Sequence, residues 1–418
     1  MDYFNYENDC LHAEQVALST IADEVGTPCY VYSRATVERH WHAFNDAFGE
    51  HPHRICYAVK ANGNLAVLDI LSRLGSGFDI VSAGELRRVL AAGGAAGETI
   101  FSGVGKQPWE IREALEAGIN SFNIESQGEL QKIREIAAET GEVARISVRI
   151  NPDIDPMTHP YISTGLRENK FGLSADKALE IYQLASQDKN IHISGVACHI
   201  GSQLTELAPY RDALDKILRF TRQLEEKGIH VEHIDFGGGL GVRYHNEAPP
   251  SPAEYCGALL EQLELFGKRY PVTIEPGRAI MANAGILLTR VHYLKHSAES
   301  NFCVVDAAMN DLIRPALYQA YQEIIEVNRS SGSTATAYDI VGPVCESSDF
   351  LGKGRRLPVR EGDLLAIRTV GAYGAVMSSN YNARPRPAEV MVDGSRFHVV
   401  RQRESLESLY AGESRLPD

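Results

Sequence analysis

The sequence predicts an α/β fold: a parallel (β/α)8 barrel joined to a second, mostly antiparallel β domain. Three observations carry that expectation. Eight short β-rich runs alternate with helical segments between residues 54 and 275, the pattern of a parallel sheet with crossover helices. Polar residues recur at the C-terminal ends of those runs. Beyond about residue 280 the helical segments thin out while β-rich runs continue. The rival is an open doubly wound sheet, which the same alternation permits.

In order, the predicted barrel strands are 54–60 (RICYAVK), 78–82 (FDIVS), 99–103 (TIFSG), 121–126 (SFNIES), 144–151 (ARISVRIN), 193–200 (ISGVACHI), 231–236 (VEHIDF) and 271–275 (PVTIE). Helix starts lie between them. Ser82 with Glu85, and Ser126 with Glu129, form capping boxes in which side chains satisfy free first-turn amides. Pro252, after Ser251 and before Glu254, sits at a first helical position, and Pro108 opens another segment. Gly93, Gly118 and Gly228 fall where helices should end. The later β-rich runs are 286–296, 301–308, 336–344, 363–373 and 389–401, with Asp393-Gly394 suited to a two-residue hairpin turn. Residues 1–35 contain the strand-like CYVYS and could join either domain. The expected division is a TIM-type barrel over 36–280, with 1–35 and 281–418 forming the β-rich domain.

Composition narrows the function. Lys and Arg total 41 against 55 Asp and Glu, a formal charge of −14, which argues against nucleic acid or an anionic membrane as the main partner. No apolar run reaches the roughly 18 residues that span a bilayer. The first residues, MDYFNYENDCLHAEQ, are acidic and polar, unlike a secretory signal. The seven cysteines are scattered, odd in number and without a CxxC pair, which argues against a disulfide scaffold or structural zinc and fits a reducing cytoplasm.

In such a barrel, chemistry sits at the C-terminal strand ends. There the chain places Lys60, Asp79 and Ser82, Glu125 and Ser126, Arg149 and Asn151, and His199 and Ser202. The Gly237–Gly241 run (GGGLG) and Glu275-Pro276-Gly277-Arg278 follow the last two strands. A lysine at a strand end is usually a solvated charge; in a low-polarity barrel mouth it becomes a nucleophile able to form a Schiff base. The glycine run is either a tight turn or a bare-amide cradle for an anion, and it does not match GxGxxG. Glu275 and Arg278 are either a local ion pair or a division of labour, with Glu275 on a ring nitrogen and Arg278 gripping a carboxylate. His199 is either a satisfied core residue or a ring that stacks on a cofactor. His40, His42, His51 and His53 read as a polar surface segment, and no metal site is expected. In the second domain, the plain reading of an isolated Cys345 is a buried structural cysteine.

Together these motifs are specific. YAVKAN (57–62), FDIVSAGEL (78–86), HPYISTGLRENKFG (159–172), CHIGSQ (198–203), FGGGLG (236–241), EPGR (275–278), RPALY (314–318), GPVCESSD (342–349) and GAYG (371–374) span nearly the whole chain. In this set and order the chain resembles the diaminopimelate decarboxylases, pyridoxal-phosphate enzymes of the alanine-racemase-like barrel class.

The resemblance implies conversion of meso-2,6-diaminopimelate to L-lysine and CO2, the last step of lysine biosynthesis. Lys60 would hold pyridoxal 5'-phosphate as an internal aldimine. Gly239, Ser202 and the backbone of Pro276, Gly277 and Arg278 would bind its phosphate, with Tyr373 against the cofactor and lining the substrate site. Glu275 would pair with the pyridine nitrogen and His199 would stack on the ring. Arg278, Arg314 and Tyr318 would bind the distal carboxylate, Glu346 the distal ammonium, and Cys345 would donate the proton. Cys345 and Glu346 would come from the partner subunit of a homodimer, whose interface the β-rich domain would help form. The loop 157–172, with Gly165 and Gly172 as hinges, is a candidate lid.

Rivals separate on the distal site. A same-fold decarboxylase of ornithine, arginine or carboxynorspermidine would share Lys60, GGGLG and EPGR, but an arginine near ornithine's ammonium would repel it. A racemase or a non-catalytic cofactor-binding protein fits the Cys345-Glu346-Ser347 stretch less well. A metal-dependent barrel isomerase would need clustered ligands that the strand ends lack.

Overall fold

The computed structural model describes residues 2–154, 170–329 and 334–417. Two compact units emerge from its contacts: residues 38–243 with 247–279, and residues 1–37, 244–246 and 280–418.

The first unit is a closed parallel barrel. Its strands are His53–Ala58, Gly77–Ile80, Thr99–Phe101, Ser121–Ile124, Ala144–Ile150, Ile191–Cys198, His233–Asp235 and Val272–Ile274. Closure comes from the last strand pairing with the first, Ile274 opposite Ile55, which excludes the open sheet. Seven of the eight strands are shorter than the sequence suggests, and the sixth keeps its length but starts two residues earlier. The first ends at Ala58, and Lys60 sits in a 3-10 turn over Val59–Ala61. The apolar run conceals that end because Val59 is buried in the turn just as the strand residues are.

Capping explains the helix starts, with one difference. Ser82 Oγ accepts the Glu85 amide at 3.2 Å and Ser126 Oγ accepts the Glu129 amide at 3.1 Å. The glutamates reach back one residue further than a capping box requires, to the amides of Val81 and Glu125. Each thereby ties a strand end to its helix. Around Ser251 the full reciprocal box forms, with Pro252 as the first helical residue.

The barrel strands are buried on both faces, with Phe78, Phe122, Ile146, Val196 and Ile234 fully or almost fully buried on the face turned to the helices. Polar side chains fall on the opposite face, toward the lumen: Asp79, Asn123, Ser147 and Asp235 are also buried. Asn123 and Asp235 come from the fourth and seventh strands, which are not neighbours, so their contact crosses the lumen.

In the second unit, a sheet runs in the order Phe350–Leu357, Thr336–Val341, Asn301–Val305, Gly285–His296, Cys29–Ser33, Ala388–Asp393, Arg396–Arg401. It is antiparallel apart from two pairs: Asn301–Val305 with Thr336–Val341, and Cys29–Ser33 with Ala388–Asp393. The CYVYS stretch therefore belongs to this sheet. Leu18, Ile21, Val31, Ile286, Leu288, Val390 and Val392 share its core; burial of each contributes roughly 1.5–3 kcal/mol. The final hairpin turns at Gly394 and Ser395, because Asp393 still pairs with Arg396. That is one residue later than Asp393-Gly394 predicts.

Candidate active site

Lys60 is held by a buried acid. Its Nζ lies 2.7 Å from Asp79 Oδ2, and Asp79 is fully buried in the second strand. Among the described residues, Asp79 Oδ1 has no hydrogen-bond partner. The low-polarity surroundings expected for Lys60 are thus replaced by an ion pair, while the amine itself stays accessible. It lines a cavity of about 390 Å³ with Ser102, Asn123, Arg149, His199 and Glu275.

Glu275 follows the eighth strand and is buried beside Asp235. Burial first, then the neighbouring Asp235 and Asp79 carboxylates, raise the Glu275 carboxyl well above its ordinary range. Burial likewise pushes Asp235 upward, opposed by hydrogen bonds from Glu275 and the Gly237 amide. Two buried carboxylates side by side disfavour double ionisation, which favours a proton on the pair.

His199 follows the sixth strand. Its Nδ1 accepts the Gly238 amide at 3.1 Å, which places the ring proton on Nε2. Burial, with the positive charges of Arg149 and Lys60, lowers its basicity far below the usual value, so the ring is neutral.

The glycine run is wedged between the loops after strands six and eight. A Cβ on Gly238 would stand 2.2 Å from Glu275 O, and one on Gly239, whose φ is +108°, would stand 2.4 Å from Gly201 O. Among the described residues, the Gly239 and Gly277 amides meet no backbone acceptor. The tight turn and the anion cradle are therefore compatible: close approach uses the missing side chains and leaves these amides over. Nearby, buried Arg278 donates from Nη2 to Ser202 Oγ at 2.9 Å. It is not the local ion pair with Glu275 that their spacing allows.

Elsewhere in the barrel unit, Arg149 donates to Glu125 Oε1 at 3.2 Å, and Glu125 Oε2 accepts the Gly172 amide at 2.7 Å. Of the candidate lid, residues 157–169 lie outside the described residues. His51 Nε2 spends its bond on Tyr270 O, and His53 Nδ1 on His51 O. Among the described residues no group of His, Cys, Asp and Glu could hold a metal ion.

The second unit carries the other predicted residues. Arg314 opens the short helix Arg314–Tyr318, with its guanidinium 5.6 Å from the Tyr244 ring centre and 5.4 Å from that of Tyr318. Cys345 is exposed, which overturns the buried structural reading; Cys29, Cys56, Cys198, Cys256 and Cys303 are buried and their thiols pushed up. The Cys345 amide donates to Asn382 Oδ1 at 2.8 Å, and Tyr381 donates its hydroxyl to Glu346 at 3.2 Å. Buried Asp349 accepts the amides of Val344 and Met309, which pins the loop. Tyr373 takes a left-handed backbone conformation, φ +55°.

Sequence reasoning missed Asn123 and Asp235. Both end polar–apolar–polar stretches, Ser121-Phe122-Asn123 and His233-Ile234-Asp235. Strict alternation inside a strand of a barrel covered by helices could have flagged a polar interior face.

The barrel and its lysine define a class. Residues 34–282 match the family described as "Pyridoxal-dependent decarboxylase, pyridoxal binding domain". Over its whole length the chain is 60% identical to the diaminopimelate decarboxylase of Vibrio cholerae, covering 100% of both chains. It is 56% identical to that of Haemophilus influenzae, covering 99% of this chain and 100% of the relative. Among solved structures, the diaminopimelate decarboxylase of Helicobacter pylori complexed with L-lysine is 42% identical, with a TM-score of 0.91 over 95% of this chain and 99% of the other. The chain belongs to the diaminopimelate decarboxylase family.

The residues present fit pyridoxal phosphate. An accessible primary amine, a buried carboxyl held above its ordinary range and a neutral flat imidazole line one cavity, and unspent glycine amides lie in the adjoining loops. Among the described residues no helix is long and apolar enough to cross a membrane.

Proposed function

We propose that this chain decarboxylates meso-2,6-diaminopimelate at its D-centre to give L-lysine and CO2, using pyridoxal 5'-phosphate held in the barrel mouth. The observation that carries the reading is the convergence of Lys60, Glu275 and His199 on one cavity. Relatives that bear the diaminopimelate decarboxylase name along the full chain supply the substrate.

When bound, pyridoxal phosphate supplies an electron sink for the charge left by departing CO2. Lys60 Nζ anchors it, and Asp79 keeps that amine aimed into the cavity. Glu275 holds a proton toward the ring nitrogen. His199 lays its face against the ring, its orientation set by the Gly238 amide. Gly239, Ser202 and the backbone amides of Gly277 and Arg278, in the loop that Pro276 opens, take the phosphate, with Tyr373 beside it. Arg278, Arg314, Tyr318 and Tyr373 orient the substrate through its distal carboxylate, and Glu346 pairs with its distal ammonium. A cation and an anion together select a substrate whose far end carries both charges. Cys345 returns a proton to the former α-carbon.

In this reading residues 36–280 form the cofactor-binding domain. Residues 1–35 and 281–418 complete the site and the interface of a cytoplasmic homodimer, in which Cys345 and Glu346 serve the partner's site. The exposure of Cys345 supports that assignment.

The test is chiral amino-acid analysis after the purified protein receives pyridoxal phosphate and meso-diaminopimelate. L-lysine with equimolar CO2 is expected. A cofactor-loaded protein that makes no lysine would remove the distal-site assignment, and ornithine, arginine and carboxynorspermidine would be tried next.

A further inference from the structure

Asp79, Asp235 and Glu275 are buried together in the barrel interior. Asn123 links two of them. Its Nδ2 stands 3.2 Å from Asp235 Oδ2, 3.3 Å from Glu275 Oε1 and 3.2 Å from Ser102 Oγ. An amide nitrogen carries two hydrogens, so it cannot serve three acceptors fully. The other Asp235 oxygen accepts the Gly237 amide at 2.9 Å.

The titratable groups around the pair are Lys60, Asp79, Arg149, His199, Cys56, Cys198 and Tyr255. Lys60 is paired with Asp79 and Arg149 with Glu125. The thiols, the Tyr255 phenol and the imidazole are neutral at this depth. Two adjacent carboxylates must then share this space with one bridging amide.

We propose that Asp235 is a positioning residue that keeps one proton on the Asp235–Glu275 pair of the cofactor-free protein, so that Glu275 meets the ring nitrogen of pyridoxal phosphate as an acid. The proposal rests on the placement of Glu275 against that nitrogen. On binding, the Glu275 O–H bond breaks, the nitrogen lone pair takes the proton, and the carboxylate left behind pairs with the protonated ring. No proton is drawn from solution for this step. The upward displacement of both carboxyls by burial, and of Glu275 by the neighbouring Asp235, agrees with it.

Two measurements test it. The first is infrared difference spectroscopy on wild-type, cofactor-free full chain at about pH 8, well above ordinary carboxyl values. A protonated-carboxyl band that disappears on adding pyridoxal phosphate, and is missing in Glu275→Gln, is expected; its absence from the wild type, or its survival after binding, overturns the proposal. The second is calorimetry of cofactor binding in two buffers of different ionisation enthalpy. Asp235→Asn, which keeps an acceptor for the Gly237 amide, should take up about one more proton per cofactor than wild type. Equal uptake overturns the part assigned to Asp235. The underlying reading fails separately: if Glu275→Gln leaves the bound cofactor's absorption spectrum unchanged, Glu275 is not at the nitrogen and the proposal falls with it.

Discussion

Lys60 Nζ lies 2.7 Å from Asp79 Oδ2, joining an accessible amine to a fully buried carboxylate on the neighbouring strand. The pair aims the amine without burying it. Asp79→Asn keeps the shape and removes the anion that favours the ammonium. The neutral amine then attaches to pyridoxal phosphate at lower pH, so the midpoint of cofactor attachment, followed by absorbance, should move down. An unmoved or raised midpoint would show that Asp79 does not govern this amine.

Arg314 is a buried cation with its guanidinium 5.6 Å from the Tyr244 ring centre and 5.4 Å from that of Tyr318. If it binds the distal carboxylate, Arg314→Ala loses about 2–5 kcal/mol of charged pairing, more than about 30-fold in kcat/KM. The cofactor spectrum should be unchanged. Normal turnover would remove Arg314 from the substrate site.

Cys345 is exposed on a loop pinned by Asp349 and Asn382. Removing a proton donor costs roughly 10²–10⁴-fold in the step it serves. Cys345→Ala should therefore slow lysine formation by that order while the spectral change on mixing with substrate keeps its wild-type rate. Equal slowing of both would contradict a proton-donor role.

Asp311 offers a pH test in the β-rich unit. Burial pushes its carboxyl up to about 7 from an ordinary 3.8, against the amide of Ala308 and the more distant Arg384. Between those values the folded chain binds a proton that the unfolded chain does not. Stability contributed here is therefore present at low pH and falls as pH rises toward about 7. Asp311→Asn should lose less stability than wild type between about pH 4 and pH 7, by an amount on the order of 2–4 kcal/mol in urea unfolding. Parallel profiles would mean that Asp311 titrates normally.

Much of this was legible in the chain, for reasons that can be named. Alternation of β-rich runs with capped amphipathic helices encodes parallel strands locally, since each crossover must cover a sheet face. Lys60, His199, Arg278 and Glu275 were visible because strand-to-helix connections in such folds gather at one end. Strand ends were less legible: Val59 is as apolar and buried as the strand before it, yet lies in a turn.

What the sequence by itself determined was the set of elements, their order and the polar residues at their ends, all properties of short-range pattern. Tertiary structure alone decided closure, through Ile274 beside Ile55, and with it the meeting of Asn123, Asp235 and Glu275 across the lumen. The physical reason is separation along the chain. A hydrogen bond between residues 112 apart leaves no local period, and the crowding of the buried acids arises only after folding, not from any one of them.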